Sequence, residues 1–421
     1  MRYILLGLFA MLALLSVLAR RMGFSWRRVG GMALEGVKET LPVIRILLVI
    51  GVITAVWREA GTIVAFVDYG IRLIRPRLFL LVAFLLSAVL SYALGTSFGV
   101  AGTAGVVFMT LARSGGVDPV VTAGVILSGV FFGDRGSPVS STAFLVSHLT
   151  GTDLFSNVRR MMRMALAPLA LCLIVYGLLS AANPIRSADA AVLDAFRAAF
   201  SLHPVVFLPA AILLLLPLFR VPVLWSMALS IVSGVLAARF AQGMPWGEIV
   251  RGCFLGYTAS TDALGAVLNG GGMISMADSC LVIALACASS GIFKGAGMLA
   301  GLERGVEALA DRVGAYTVLV LTALGSAAVF CNQIMPIIMG HTLLRPVYEK
   351  RGYSAEHLAM DLENICITVP AFVPWAIICS VPLRLLGADY RSMAFAVFLY
   401  AVPILNGAAR YLQYRKMRQS A

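Results

Sequence analysis

Charged and amide side chains interrupt two long apolar stretches of this sequence, and they could bind an ion, a proton or a small polar molecule. In the first stretch, Asp134 and Arg135 lie between Gly133 and Gly136, with Pro138 close behind. Carboxylate, hydroxyl and carbonyl oxygens can replace the water around a cation, and a guanidinium fork matches a carboxylate. The candidate residues of this stretch and the segment before it are Thr96, Ser97, Asp134, Arg135, Ser137, Ser140, Ser141 and Thr142.

The second stretch carries amides and one carboxylate. Glu363 precedes an apolar run that contains Pro370 and Pro374, and a proline opens the hydrogen-bond ladder of a helix. A glutamate beside such an opening is a candidate proton carrier, although a helix cap at an interface is an equal alternative. The candidates of this stretch are Asn332, Gln333, Glu363 and Asn364.

The first stretch also has a purely structural interpretation. Asp134 and Arg135 could form an ion pair or a tight loop, and the hydroxyls of residues 140–142 could hold helices together. A charge in hydrocarbon costs about 2.5–3.5 kcal/mol even on the lenient insertion scale, so it is rarely kept without a role. The flanking glycine, serine and proline favour a hairpin tip on a substrate path.

Composition shows which elements must position these residues. The chain of 421 residues is 60% hydrophobic and 13% charged, with a mean hydropathy of +0.93. Soluble domains are roughly 45–50% apolar and about 25% charged. The sequence therefore predicts an all-α polytopic membrane protein with roughly 10–12 transmembrane helices or half-crossings.

The net charge of +13 would suggest nucleic acid in a soluble protein, but here the basic residues lie between apolar spans. Clusters at 20–28, 72–77, 159–163 and 415–418 predict cytoplasmic segments. We therefore expect a multi-pass protein of the cell (inner) membrane, with its amino terminus outside and its carboxyl terminus cytoplasmic. Its expected partners are the lipid bilayer and a small ion or small-molecule substrate, with no nucleic acid; a homo-oligomer stays open.

The chain divides into two membrane halves. Residues 1–182 hold an anchor helix and a first repeat, residues 183–202 form a polar linker, and residues 203–421 form a second repeat. Irregular backbone at membrane depth must be buried in protein or line a water-filled cavity. Breaks in both halves, including residues 258–262 in the second, predict two inverted repeats with broken helices or re-entrant hairpins around a midplane site.

Two further patterns carry less information. Gly95–Gly99 matches GxSxG, but an intramembrane serine hydrolase stays a remote alternative because that motif needs a strand before its serine. The glycines from Gly291 to Gly305 repeat GxxxG, which predicts helix packing. We expect a non-enzyme without a cofactor, and the nature of any bound metal stays open.

The order and spacing of several short motifs resemble the NhaC-type sodium/proton antiporter family of the ion transporter superfamily. The resemblance is sharpest from residues 133–134 through 137–138 to 151–155. Further matches lie at 95–97, 333, 362–363 and 374–375. The resemblance implies a secondary active transporter with alternating access, coupled to Na+ or H+.

The sequence departs from this family at several acids. Positions where the family carries carboxylates are occupied by Ser141, Asn332 and Asn364, and the family's lysine is replaced by Arg135. Since a cation site usually supplies negative oxygens, this loss weakens the expectation of sodium/proton exchange. A Na+- or H+-coupled carrier or exchanger of amino acids or small organic acids is the alternative, for which Arg135 could bind a carboxylate.

Overall fold

The computed structural model of the protein describes residues 2–73, 76–138, 140–184, 197–219, 221–259, 268–298 and 302–420. Residues 185–196 of the predicted linker and 260–262 of the predicted break at 258–262 lie outside these ranges. Within them the chain is helical and contains no strand, only an isolated bridge between Tyr257 and Gly270. The prediction of an all-α fold is confirmed.

Nineteen α-helices lie in the described ranges. They are α1 (Arg2–Arg21), α2 (Trp26–Glu59), α3 (Thr62–Leu73), α4 (Phe79–Leu94), α5 (Ser97–Val100), α6 (Val106–Ser114), α7 (Pro119–Gly136), α8 (Ser141–Thr150), α9 (Leu154–Ala182), α10 (Leu208–Leu215), α11 (Val223–Phe240), α12 (Trp246–Leu255), α13 (Ala277–Gly295), α14 (Leu302–Val313), α15 (Ala315–Phe330), α16 (Ile334–Lys350), α17 (Ala355–Ile365), α18 (Ile377–Leu385) and α19 (Val397–Ser420).

Several of these helices are suited to a bilayer. In the described ranges, Pro76–Ala93, Leu154–Ala182 and Met273–Gly295 are long and apolar enough to cross it. Ala355–Phe372 and Ile377–Leu385 together also qualify, and this pair bends by 62° at its break. The protein is thus a polytopic membrane protein with a broken helix, as predicted, whereas the number of crossings and the inverted repeats stay predictions.

Helices α4 and α7 run parallel and touch backbone to backbone because α7 carries glycine at the contact. A Cβ atom at Gly133 would lie 2.1 Å from the carbonyl carbon of Ser91, and one at Gly129 would lie 2.6 Å from the carbonyl oxygen of Phe84. The Ser91 hydroxyl donates to the carbonyl oxygen of Val130 at 2.5 Å. This contact fixes the carboxyl end of α7 beside the carboxyl end of α4.

Helices α2 and α13 pack in a similar way. A Cβ atom at Gly291 would lie 2.2 Å from the carbonyl oxygen of Met32, and one at Gly36 would lie 2.0 Å from that of Cys287. Gly295 also lies against the Met32 side chain. The predicted packing role of the glycine series is therefore confirmed at Gly291 and Gly295.

Two breaks of the second half lie against each other. Helix α15 ends at Cys331, whose φ of 56° makes it the one non-glycine residue with a positive φ in the described chain. The Cys331 carbonyl accepts a hydrogen bond from the Ile377 amide at 2.8 Å. The Trp375 indole donates to the Ala328 carbonyl at 2.9 Å. These bonds join the end of α15 to the break between α17 and α18.

Candidate functional site

Asp134 connects the two halves of the chain. Its side chain lies in the last turn of α7 and is 5% exposed. One carboxylate oxygen, Oδ2, accepts a hydrogen bond from the Ser97 hydroxyl at 2.9 Å and another from the Gln333 amide nitrogen at 3.0 Å. Gln333 is 199 residues away in sequence, so the fold alone brings these groups together.

Ser97 and Gln333, the two donors to Asp134, each follow a helix end of the same kind. Helix α4 ends at Gly95 in the left-handed conformation, and the Thr96 hydroxyl then accepts from the Gly99 amide, which starts α5 at Ser97. A left-handed end residue satisfies the orphan carbonyls of a helix, and a cap satisfies the orphan amides of the next one. The donor to Asp134 follows directly after the cap.

The second half repeats this order. Cys331 is the left-handed residue after α15, and the Asn332 side chain accepts a hydrogen bond from the Met335 amide at 2.8 Å. Gln333 follows and donates to Asp134. Asn332 is therefore occupied with capping α16, whereas its neighbour contacts the carboxylate.

Hydroxyl groups from the hairpin tip line the other side of Asp134. The Ser140 hydroxyl lies beside the Asp134 carboxylate and 2.8 Å from the Thr142 hydroxyl. Thr142 donates to the backbone carbonyl of Asp134 at 3.4 Å, and the Ser137 amide closes α7 by donating to Gly133. Ser141 is exposed at the start of α8 and does not join this group.

Arg135 is fully buried but makes no ion pair with Asp134 in the described chain. Its guanidinium donates to the Asn364 side-chain oxygen and, at 3.1 Å, to the Met161 carbonyl. It also lies 5.5 Å from the ring centroid of Phe398. The tight loop is therefore wrong, because Asp134 and Arg135 lie inside α7, and the two residues do not pair with each other.

Glu363 has a different environment from Asp134. It lies in the last turn of α17, is 0% exposed, and neither carboxylate oxygen has a hydrogen-bond partner among the described residues. The charged groups that influence it are Arg135 and Asp134. The alternative of an interfacial cap is wrong, because Ser354 caps α17 and Glu363 is enclosed at the opposite end.

A third buried carboxylate in this region was not among the sequence candidates. Asp361 accepts hydrogen bonds from Arg410 at 2.9 Å and from the Tyr348 hydroxyl at 2.9 Å. Its charge is thus compensated, which favours a structural role. An acidic residue three positions before Asn364 and an arginine in the last helix, both close to apolar runs, could have signalled this pair.

Twelve residues were predicted for the site, and the structure gathers most of them. Ser97, Asp134, Ser140, Thr142 and Gln333 form one group, and Arg135, Glu363 and Asn364 lie next to it. Thr96, Ser137 and Asn332 shape the adjoining helix ends, and Ser141 lies outside. The GxSxG serine follows a helix and a left-handed glycine, not the strand that a hydrolase requires.

Comparison with known proteins shows which family the chain resembles. The sequence model described as the Na+/H+ antiporter family matches residues 1–147 and 129–406. The chain belongs to this family. In the structure, Asp134 and Glu363 lie in the last turns of α7 and α17.

The names of individual relatives state different transported ions or molecules. The chain is 25% identical over 409 residues, 95% of its length and 88% of the relative's, to the Na(+)/H(+) antiporter NhaC of Alkalihalophilus pseudofirmus. It is 26% identical to the malate-2H(+)/Na(+)-lactate antiporter of Bacillus subtilis, covering 88% of this chain and 81% of that one. It is 27% identical to the arginine/ornithine antiporter ArcD of Halobacterium salinarum, covering 88% and 80%.

The groups near Asp134 that could ligate an ion are oxygen atoms. In the described residues, no three His, Cys, Asp or Glu side chains group as metal ligands. Asp134 instead offers carboxylate oxygen, with hydroxyl oxygens of Ser97, Ser140 and Thr142 nearby. Oxygen ligands of this kind are typical of alkali and alkaline-earth cations.

Proposed function

We propose that the protein exchanges sodium ions for protons across the cell membrane, with Asp134 as the cation ligand and Glu363 as the proton carrier. The observation that carries this proposal is the enclosure of Glu363 without a hydrogen-bond partner, close to Asp134. Burial without a hydrogen-bond partner favours the protonated form of a carboxylate, whereas the nearby Arg135 guanidinium favours its charged form. Glu363 can therefore carry a proton into a closed site and lose it when the site opens to water.

Asp134 supports the other step of the exchange. Its two hydrogen bonds from Ser97 and Gln333 stabilise a negative charge, and hydroxyl oxygens lie within reach of a desolvated cation. Sodium bound there would add a positive charge near Glu363, and this favours release of the Glu363 proton. The electrostatic coupling of two neighbouring acids is thus the physical basis for exchange.

The hydrogen bonds also suggest which parts move. Ser97 and Asp134 belong to α5 and α7, which are held together through the close α4–α7 contact, whereas Gln333 approaches from the second half. Movement of one half against the other would break the Gln333 bond and preserve the Ser97 bond. Alternating access by such a movement is the expected mode of a transporter with a midplane site.

A second candidate function is exchange of a small organic acid or amino acid, coupled to Na+ or H+. The observation in its favour is that Asn332 and Asn364 supply amides where acids are expected in the family, and that Asn364 binds Arg135. Two curated relatives are named as antiporters of organic acids or of amino acids. In this version Arg135 would release Asn364 and bind the substrate carboxylate.

Everted membrane vesicles can separate the two functions. Under the first proposal, adding sodium to vesicles with an acid interior raises the interior pH, as followed by a fluorescent pH indicator. Under the second, sodium alone moves no protons, and radiolabelled malate, lactate or arginine is taken up instead. Absence of a sodium response in vesicles that contain the folded protein would overturn sodium/proton exchange.

A further inference from the structure

A basic cavity lies apart from the group around Asp134 and Glu363. It has a volume of about 480 Å³ and is bounded by α9, α17 and α19. Arg160 and Arg163 line it from α9, and Arg410 lines it from α19. Glu356 is the one carboxylate among its lining residues. Basic residues therefore outnumber the acid in the lining, which favours an anion over a cation.

Two of the three arginines form no ion pair with a described residue. Arg410 is held by Asp361 at 2.9 Å. Arg160 and Arg163 form no hydrogen bond or salt bridge with a described residue, and Glu356 and His357 line the same cavity. Guanidinium groups that converge on one cavity match the oxygens of a phosphate.

The length of α9 gives the depth of the cavity in the membrane. The helix has 29 residues, which corresponds to about 43 Å at the usual rise, whereas the hydrocarbon layer is about 30 Å thick. Its apolar part begins near Met164, so the segment that carries Arg160 and Arg163 extends into the headgroup layer. This is the level at which lipid phosphates lie.

The exposed faces of α9 and α19, which bound the cavity, are suited to acyl chains. Leu166 on α9 is 63% exposed and Ile404 on α19 is 64% exposed, and both lie on helices that bound the cavity. Leu405 and Ala167 contribute apolar lining inside it. A ligand with an acidic head and apolar tails fits this combination better than a free anion.

We propose that this cavity binds the headgroup of an anionic phospholipid, with its phosphodiester between Arg160 and Arg163 and its acyl chains along the exposed faces of α9 and α19. Basic pockets between membrane helices are a known mode of anionic lipid binding. Neither Asp134 nor Glu363 lines the cavity, although its lining residue Met164 contacts Asn364. Binding can accordingly be measured on the purified protein without any transport assay.

The test is thermal unfolding of the full-length protein in a neutral detergent, titrated with phosphatidylglycerol. A ligand that binds the native state raises the apparent melting temperature by mass action. The double variant Arg160→Gln/Arg163→Gln should bind phosphatidylglycerol about 25-fold more weakly, since each interfacial arginine contributes about 5-fold. Both side chains are exposed, so the variant is expected to fold.

A charge-matched control is the double variant Arg27→Gln/Arg159→Gln, whose side chains are exposed and do not line the cavity. It should keep the wild-type response. An unchanged response of Arg160→Gln/Arg163→Gln would overturn the assignment to this cavity. An equal shift with phosphatidylcholine, or with glycerol phosphate or inorganic phosphate at the same concentration, would overturn the anionic lipid as the ligand.

Discussion

Asp134 and Glu363 are both buried carboxylates at the carboxyl ends of interrupted helices, but their surroundings differ. Asp134 accepts hydrogen bonds from Ser97 and Gln333, whereas Glu363 has no hydrogen-bond partner among the described residues. Donors stabilise the charged form of a carboxylate, and burial without donors favours its neutral form. The contrast supports the proposed roles, in which Asp134 binds the cation and Glu363 carries the proton.

The largest effect is expected from Asp134→Asn. Asparagine keeps an oxygen that accepts from Ser97 and Gln333, but it lacks the negative charge that holds a desolvated cation. Loss of a charge-assisted contact costs about 1.5–3 kcal/mol, or roughly 10- to 100-fold in sodium affinity. Both sodium/proton exchange and sodium/sodium exchange, measured with radioactive sodium in vesicles, should fall together. The exposed acid Asp311 provides the control variant Asp311→Asn, which should keep full activity.

Glu363→Gln tests the difference between the two acids, because it should separate sodium/proton exchange from sodium/sodium exchange. Without a titrating group, sodium-driven proton movement is lost, whereas sodium/sodium exchange at Asp134 persists. The control Glu349→Gln removes an exposed glutamate, 62% accessible, and should retain both. If Glu363→Gln abolished both activities in a normally folded protein, Glu363 would belong to the cation site and the division between the two acids would be wrong.

The close contact of α4 and α7 holds Asp134 against Ser97, and Gly133→Ala tests it. The added methyl group would meet backbone atoms of Ser91 and Tyr92 at 2.1 Å, so the helices must separate. Overpacking of this kind costs about 1–3 kcal/mol, which should lower the thermal unfolding temperature. At Gly136 the nearest atom to an added methyl is the Met162 sulfur at 3.5 Å, so Gly136→Ala should leave stability nearly unchanged. Equal behaviour of the two variants would contradict the tight packing.

The presence of the two buried acids can be predicted from sequence, because charged residues are costly in a membrane and stand out among apolar residues. Asp134 and Glu363 could be selected for that reason, and glycine in a series predicts close packing at Gly291 and Gly295. The left-handed conformation of Cys331 has no comparable signal, since non-glycine residues rarely adopt it. Helix propensity alone would have continued α15 past this point.

Partners across the fold could not be predicted. Gln333 is 199 residues from Asp134, and Asn364 is 229 residues from Arg135, so their contacts depend on how whole helices pack. The sequence around Arg135 does not show which residue binds its guanidinium. The position of Arg135 over the Phe398 ring follows only from the packing of α19. The absence of hydrogen-bond partners at Glu363 is likewise a property of the assembled structure.

The smallest effect concerns the hydroxyls around Asp134 and tests whether they belong to its site. Ser140 lies beside the carboxylate, whereas Ser141 is exposed although adjacent in sequence. Ser140→Ala should weaken sodium binding by about 0.5–1.5 kcal/mol, or roughly 2- to 10-fold, as the loss of one neutral ligand would. Ser141→Ala should leave the sodium concentration for half-maximal exchange unchanged. The family resemblance predicts an acid at the position of Ser141. A larger effect at Ser141 than at Ser140 would therefore mean that α8 rotates toward Asp134 during transport. The cation site would then be completed only in a second conformation, and the hydrogen-bonded state of Asp134 would be its resting form.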